Sequence, residues 1–374
     1  MVLSDMGAEV YKVESPGSGD ECRNWPPNID DSISCYFACL NRNKKSICVN
    51  LKSEKGREII FNLAEICDVL VENFVPGKMD KLGLGYEKVR ELAPHLIYCS
   101  ISGYGEKGPY RNRPGFDVIA ASVGGLINIT GAQGGEPCKT GVALIDIATG
   151  LYAHGAILAA LLERAKTGLG QKIDCNLLST QISCLINIGA NYLNMGKEAV
   201  RWGTAHESIV PYEAFETSDG YITVGAGSNA HFVDLCRRLK IPKIANDERF
   251  RTNPLRVKNR EVLVDLLKVK MREKSTADWM EIFEGASFPC GPVNTLKQVF
   301  NDPHVKEIGL VEEVTLGSGK KLKVVGPPVT YSSLDNRLRS PPPAVGEHTK
   351  YILSSVLNYS EDQIQRLYKN NDVQ

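Results

Sequence analysis

Neither sign of charge is in excess in this sequence: 44 Lys and Arg face 44 Asp and Glu. A neutral chain offers no electrostatic reason to expect DNA, RNA or an anionic membrane as its main partner, although a local basic cluster can still hold a small polyanion. CxxC pairs are also missing. The 11 cysteines are an odd number and stand singly, which fits reduced thiols rather than a disulfide framework or a zinc site. No uninterrupted apolar run approaches the roughly 18 residues that cross a bilayer, so a soluble protein without a membrane partner is expected. GxSxG, HExxH and any compact His/Cys/Asp cluster are absent too, so hydrolase chemistry has no support and no metal is expected. The six histidines are isolated; His206, within RWGTAHESIVP, is the one worth following.

The opening MVLSDMGAEVYKVE has neither the apolar core of a secretory signal nor the Arg- and Ser-rich character of a mitochondrial presequence. It reads as the end of a helix, Gly7, and a short strand. A doubly wound domain that opens on a helix leads us to expect a strand upstream, and an extension before it.

What is present fits an α/β protein. At 374 residues, length suggests about two domains. Short β-branched runs alternate with amphipathic helices up to about Ser179, the pattern of a parallel sheet covered on both faces. Strands are expected at Glu9 to Val13, Ser46 to Asn50, Val69 to Glu72, Leu96 to Ile101 and Lys172 to Asn176, with helices at Lys55 to Ile66 and Tyr86 to Ala93. Asp146 to Lys166 reads as a long helix, apolar on nearly all sides and therefore interior. Residues 187–210 read as a connector. Beyond it, Tyr212 to Val224 suggests a hairpin turning at Ser218-Asp219-Gly220, followed by helices at Asn229 to Leu239, Arg260 to Glu273 and Thr276 to Glu284. The expected architecture is a large doubly wound, Rossmann-like domain (1–186 and 311–374), the connector, and a smaller α+β domain (211–310). The last helix is expected at Thr349 to Leu357.

Four constellations bear on chemistry. Gly103-Tyr104-Gly105-Glu106-Lys107-Gly108 matches GxGxxG, but Pro109, Arg111, Arg113 and Pro114 follow where a dinucleotide site needs a helix N-terminus. Asp146 stands between GVALI and a buried-looking helix. The ordinary role of such a carboxylate is an N-cap; a nucleophile is the sharper reading, and the two are compatible. Gly225-Ala226-Gly227-Ser228 joins a strand to a helix, either as a plain turn or as a loop whose N-H groups approach a ligand oxygen. Asn41-Arg42-Asn43-Lys44-Lys45 can be a solvated loop or can pair with nucleotide phosphates.

Taken in order, GAEVYKVE, NRNKKSICVNLKSEKGREI, LVENFVPGKMDKLGLGYE, IYCSISGYGEKGPY, PGFDVIAASVGG, GVALIDIATGLYAHGAILAALLERAKTGLGQKID, DGYITVGAGS and FPCGPVNTL span nearly the whole chain. This ordered set resembles the class III CoA-transferase family, which includes formyl-CoA transferase, carnitine CoA-transferase and alpha-methylacyl-CoA racemase. The resemblance implies that Asp146 is a nucleophile carrying acyl and CoA in turn. It also implies that Gly225, Ala226 and Gly227 form a loop closing over it. CoA contacts are implied at Val49, Asn50, Leu51, Lys52, Asn73, Phe74, Lys81, Pro114, Gly115, Phe116 and Asp117. No cofactor is implied beyond the CoA thioester substrate, and the family's interlocked homodimer is expected. RWGTAHESIVPY and IDCNLLSTQISCL imply a dicarboxylate pair, succinyl-CoA as donor and glutarate or 3-hydroxy-3-methylglutarate as acceptor, with Arg113 or Arg201 for the distal carboxylate. A mitochondrial matrix location is implied, the presequence lying outside this chain.

The chain departs from the family pattern in two places. It begins after the strand and loop LDLTRVLAGP, and Ser15 stands where members carry the arginine of KVERP. Two alternatives follow: a racemase, and an inactive product unable to bind CoA. The racemase needs a histidine before the aspartate of PGFD, where this chain has Phe116, which carries no proton.

Overall fold

The structure is a computed structural model that describes residues 1–30 and 33–374. The chain divides into two compact units: Met1–Gly124, Val142–Cys184 and Pro303–Gln374 make the first, Gly125–Gly141 and Leu185–Asp302 the second.

In the first unit all five expected strands form. They are β1 (Val10–Glu14), β2 (Lys44–Cys48), β3 (Val69–Glu72), β4 (Ile97–Ser102) and β5 (Lys172–Asn176). Every pairing among them is parallel, and they fall into a two-stranded set, β1–β2, and a three-stranded set, β3–β4–β5. Between them run α1 (Cys35–Leu40), α2 (Glu54–Ile66), α3 (Tyr86–Leu92), α4 (Asp117–Val123) and α5 (Leu144–Thr167), with α6 (Leu177–Ser183) after β5. Ser53 caps α2 by accepting from the Gly56 N-H at 2.9 Å. Ile59, Ile60 and Leu63 of α2 then pack with Ile47, Val49, Leu84, Ile352, Ile364 and Val373.

The long helix departs from its expected burial. Ile145, Thr149, Ala153, Ile157 and Ala160 form a buried stripe at helical spacing, packed toward β4, β5, α4 and α6. Ile147, Leu151, Tyr152 and Leu162 face outward instead, Leu151 being 53% exposed and Leu162 70% exposed. Its 24 residues are also long and apolar enough, by length and composition, to cross a membrane. Asp146, His154 and Glu163 interrupt the apolar residues, so no unbroken run reaches that length, whereas a window that tolerates isolated polar residues does. A stripe seated on a sheet accounts for the apolar inner face, and the outer face is left uncovered by this chain.

Two buried ion pairs brace this unit. Glu14 accepts from Arg23 Nη2 and Nε (2.6 and 2.9 Å), the Ser46 hydroxyl (2.7 Å) and the Asp20 amide (2.9 Å). Arg42 forks onto Asp5 at 2.7 and 3.0 Å, and the Asn43 amide joins it. Lys44 donates to Asn41 and Lys45 pairs with Glu9. The basic tract that was a candidate for nucleotide phosphates is therefore engaged internally, its central arginine 2% exposed.

The longer segment of the second unit, from Leu185, begins with α7 (Ile186–Met195), so the expected connector begins as a helix, one with no buried residue. The hairpin forms as β6 (Tyr212–Glu216) and β7 (Tyr221–Gly225), antiparallel, with a short third strand, β8 (Cys290–Pro292), on the far side of β7. Its turn is closed by Thr217, whose hydroxyl accepts from the Gly220 N-H. The three expected helices run Asn229–Arg238, Arg260–Met271 and Thr276–Ile282. Phe215, Ile222, Val224, Phe232, Leu235, Phe250, Leu263 and Trp279 make its core, and the Trp279 indole N-H donates to the Met271 carbonyl at 2.7 Å. The chain then returns to the first unit through the hairpin Val311–Thr315 and Lys321–Val325. The expected final helix shortens to Thr349–Tyr351 before a π turn, and a further helix, Glu361–Lys369, follows.

Candidate active site

The residue before α5 is Ala143, whose methyl cannot accept a hydrogen bond, so the first turn has no cap of its own. The cap comes from elsewhere. Asp117, at the start of α4, turns its Oδ1 to the N-H of Ile145 (2.6 Å) and of Asp146 (3.2 Å). Asp146 is consequently not the cap. It lies inside the first turn, exposed, and among the described residues nothing donates to its carboxylate. The packed helix ends around it and the Asp117 charge both raise its pKa above the ordinary carboxylate value, burial being the larger cause. An unpaired carboxylate that reaches solvent yet is partly desolvated suits nucleophilic attack.

Tyr36 of α1 was not singled out from the sequence. Its phenol titrates higher than usual, through burial first and then the nearby Asp146 charge, and its ring packs edge-on against Trp25 at 5.0 Å. No spacing rule links Tyr36 to Asp146, and only the fold brings them together.

The positions expected to contact CoA all belong to this unit and cluster after strand ends, where open parallel sheets bind ligands. Val49 to Lys52 follow β2, and Asn73 and Phe74 follow β3. Lys52, Asn73, Phe74 and Lys81 are exposed, and neither lysine has an ion-pair partner among the described residues. Val49 differs: its side chain is buried in the core and its N-H donates to the Glu14 carbonyl, so it shapes the site from beneath. Leu51 is half-buried and packs on the same core. The Asn50 side chain accepts from the Lys52 amide at 3.1 Å, which folds this corner back on itself. Phe74 and Glu72 also line a pocket with Tyr98, Ser102 and Lys172.

Pro114, Gly115, Phe116 and Asp117 run past the loop after β4. A Cβ on Gly115 would lie 2.5 Å from the Gly103 Cα, so this close approach requires glycine. GxGxxG is thus a tight crossing of two loops, with no helix opening at its third glycine. Phe116 is 69% exposed. Arg113 stacks on the Tyr110 ring at 4.0 Å and has no carboxylate partner among the described residues.

In the second unit, two of the three loop amides are already engaged: Gly225 N-H donates to Pro289 and Ala226 N-H to Pro211, both at 2.9 Å. An approach to a ligand oxygen through those two amides is therefore closed. A Cβ on Gly227 would meet Ile209 at 2.9 Å, and Arg256 holds its carbonyl at 3.1 Å. Arg201 donates to the carbonyls of Gly135 and Asn128. His206 stacks on Tyr212 and its Nδ1 accepts from the Ser208 amide, a structural role. No group of three or more His, Cys, Asp or Glu suited to a metal occurs among the described residues.

The sequence profile of CoA-transferase family III matches residues 1–349. The chain belongs to this family. Among its relatives, a succinyl-CoA:glutarate CoA-transferase of Mus musculus is 52% identical over 98% of this chain and 84% of its own length. A succinate–glutarate CoA-transferase of Agrobacterium fabrum is 38% identical, covering 95% of this chain and 90% of its own. Among solved structures, a CAIB/BAIF family protein from Brucella suis superimposes with a TM-score of 0.85 at 40% identity, over 95% of this chain and 93% of that one. The expected family and the mixed α/β class with parallel sheets both stand, and the chain is a CoA-transferase acting on acyl-CoA and carboxylic acid substrates.

Proposed function

We propose that this CoA-transferase moves CoA from succinyl-CoA to a dicarboxylate, glutarate or 3-hydroxy-3-methylglutarate, with Asp146 as the nucleophile. The observation that carries the reading is the unpartnered Asp146 carboxylate in the first turn of α5, relieved of capping by Asp117. The substrates rest on the names of the Mus musculus and Agrobacterium fabrum relatives.

The Asp146 carboxylate attacks the thioester carbonyl, the C–S bond breaks, and CoA thiolate leaves behind a mixed anhydride. Thiolate then attacks the aspartyl carbonyl and expels succinate, giving an aspartyl-CoA thioester. The acceptor carboxylate displaces CoA from that carbonyl, and the thiolate finally takes the acceptor acyl group and frees Asp146. The net reaction exchanges one thioester for another of similar energy, so no outside energy source or redox partner is needed. Lys52 and Lys81 serve CoA phosphates as point charges, and Phe74 offers an apolar face to the adenine. Arg113 serves the distal carboxylate through a free guanidinium fork; Arg201 holds its own loop and is the less suited of the two.

The outer face of α5 and the unburied α7 provide the apolar surface for an interlocked homodimer. A sedimentation mass near 41.0 kDa rather than twice that value would remove the dimer. Residence in the mitochondrial matrix is proposed on the family resemblance of the sequence, and microscopy of the full-length protein tests it.

The test of the reaction is to mix protein with succinyl-CoA, digest it and weigh the peptide bearing Asp146. A CoA-sized adduct is expected, absent in Asp146→Ala. Steady-state rates with a panel of acids test the substrates, and a preference for short monocarboxylates overturns that part. Failure of labelled CoA to bind supports the inactive alternative instead.

A further inference from the structure

We infer that Asp117 is a positioning residue for CoA transfer: its carboxylate supplies the N-cap that α5 lacks and so fixes the turn presenting Asp146. This rests on the reading of Asp146 as nucleophile, and it gives Asp117 a role other than the CoA contact expected from its place in PGFD.

Three observations carry it. The residue in the capping position of α5 is Ala143, which has no acceptor. One oxygen of Asp117 serves two successive N-H groups, those of Ile145 and of Asp146 itself, at 2.6 and 3.2 Å. Asp117 is fixed in turn, because it opens α4 directly after the crossing where Gly115 presses on Gly103 with no room for a side chain. α4 also packs against α5 and α6. Two charge-assisted bonds to adjacent amides leave the first turn little rotational freedom, and a reacting atom misplaced by about 1 Å can lose about a hundredfold in rate.

The same carboxylate acts on the chemistry. Asp146 faces the Asp117 charge from α4 and the Tyr36 phenol from α1, and the like charge of Asp117 adds to burial in raising its pKa. Asp146 must be ionised to attack, so removing that charge while keeping the acceptor moves the acid limb of activity to lower pH.

The test compares Asp117→Ala with Asp117→Asn, the latter retaining an oxygen that accepts both N-H groups. Aspartyl-CoA adduct formation at saturating succinyl-CoA should slow about ten- to hundredfold in Asp117→Ala, with KM little changed. Hydrogen exchange in the peptide spanning 142–150 should quicken in the same variant. Asp117→Asn should stay within about threefold of wild type at neutral pH and shift its acid limb downward. A raised KM with unchanged adduct rate and unchanged exchange in Asp117→Ala overturns the inference and returns Asp117 to CoA contact. Equal damage in both variants, with no shift of the acid limb, also overturns it. If Asp117→Ala does not fold, the Asp117→Asn pH profile and exchange rate decide alone. Adduct retained in Asp146→Ala would fell the nucleophile instead, while the exchange measurement would still report the cap.

Discussion

Two carboxylates in the first unit are treated in opposite ways. Glu14, at the end of β1, is enclosed by Arg23, Ser46 and the Asp20 amide, every lone-pair direction answered. Burial by itself would raise its pKa, but those donors together outweigh it and hold it below the ordinary glutamate value. Asp146 has burial too, but a like charge beside it and no donor, so its pKa rises. The difference separates a carboxylate that holds structure from one left without a donor among the described residues: satisfied lone pairs make a poor nucleophile, and unsatisfied ones are costly to stability.

Exchanging what each carboxylate has should break the comparison. The largest effect is expected from Asp146→Ala, a loss of transfer of roughly ten-thousandfold or more, read in kcat, with thermal stability nearly unchanged. Next comes Glu14→Ala, which should leave buried Arg23 without its carboxylate and cost about 3–5 kcal/mol in urea unfolding while the surviving folded protein still transfers CoA. The pH dependence sharpens this. A depressed folded pKa gives Glu14 a contribution that is complete above its unfolded value, about 4.3, and is lost as pH falls through the folded one. The stability gap between wild type and Glu14→Gln should therefore narrow on acidification below about pH 4; a gap independent of pH would remove the ionised pair. Smaller again is Arg113→Ala, expected to raise KM for a dicarboxylate acceptor about tenfold and to leave KM for a monocarboxylate alone. The smallest is Tyr36→Phe, which should keep the ring packing on Trp25 and lose about threefold in kcat.

Local patterns were read well where one physical preference dominates. The five parallel strands were legible because β-branched residues alternate with amphipathic helices, and Thr217 to Gly220 closed the expected hairpin. Glu361–Lys369 was missed although Ser360 and Gln363 spell a capping box, both halves of which form. No helix is expected at the start of the connector, where apolar periodicity weakens, yet Ile186–Met195 form α7, because a helix with no buried side leaves no periodic contrast to detect. α5 is apolar on nearly all sides, which predicts an interior helix, yet the fully buried residues are confined to the stripe from Ile145 to Ala160, with Leu161 packed beside it and Arg164 paired with Asp68.

In the site, Asp146 was identifiable by its place before a long helix and by family likeness, but its role was ambiguous between cap and nucleophile. In the structure Asp117, and not Asp146, accepts from the first N-H groups of α5. The basic tract misled for a related reason: Arg42 has an acidic partner, Asp5, far away in the chain.

Sequence by itself determined the strand and helix pattern and the family, and singled out Asp146 as a candidate, because propensity, periodicity and motif order are local properties of the chain. Only tertiary structure decided which charges are engaged, that Asp117 and Tyr36 meet the start of α5, and which side of that helix stays bare. Hydrogen-bond partners and desolvation depend on approach through space, and residues 14, 23 and 46, or 117 and 146, come within bonding distance only once the sheets and helices have packed.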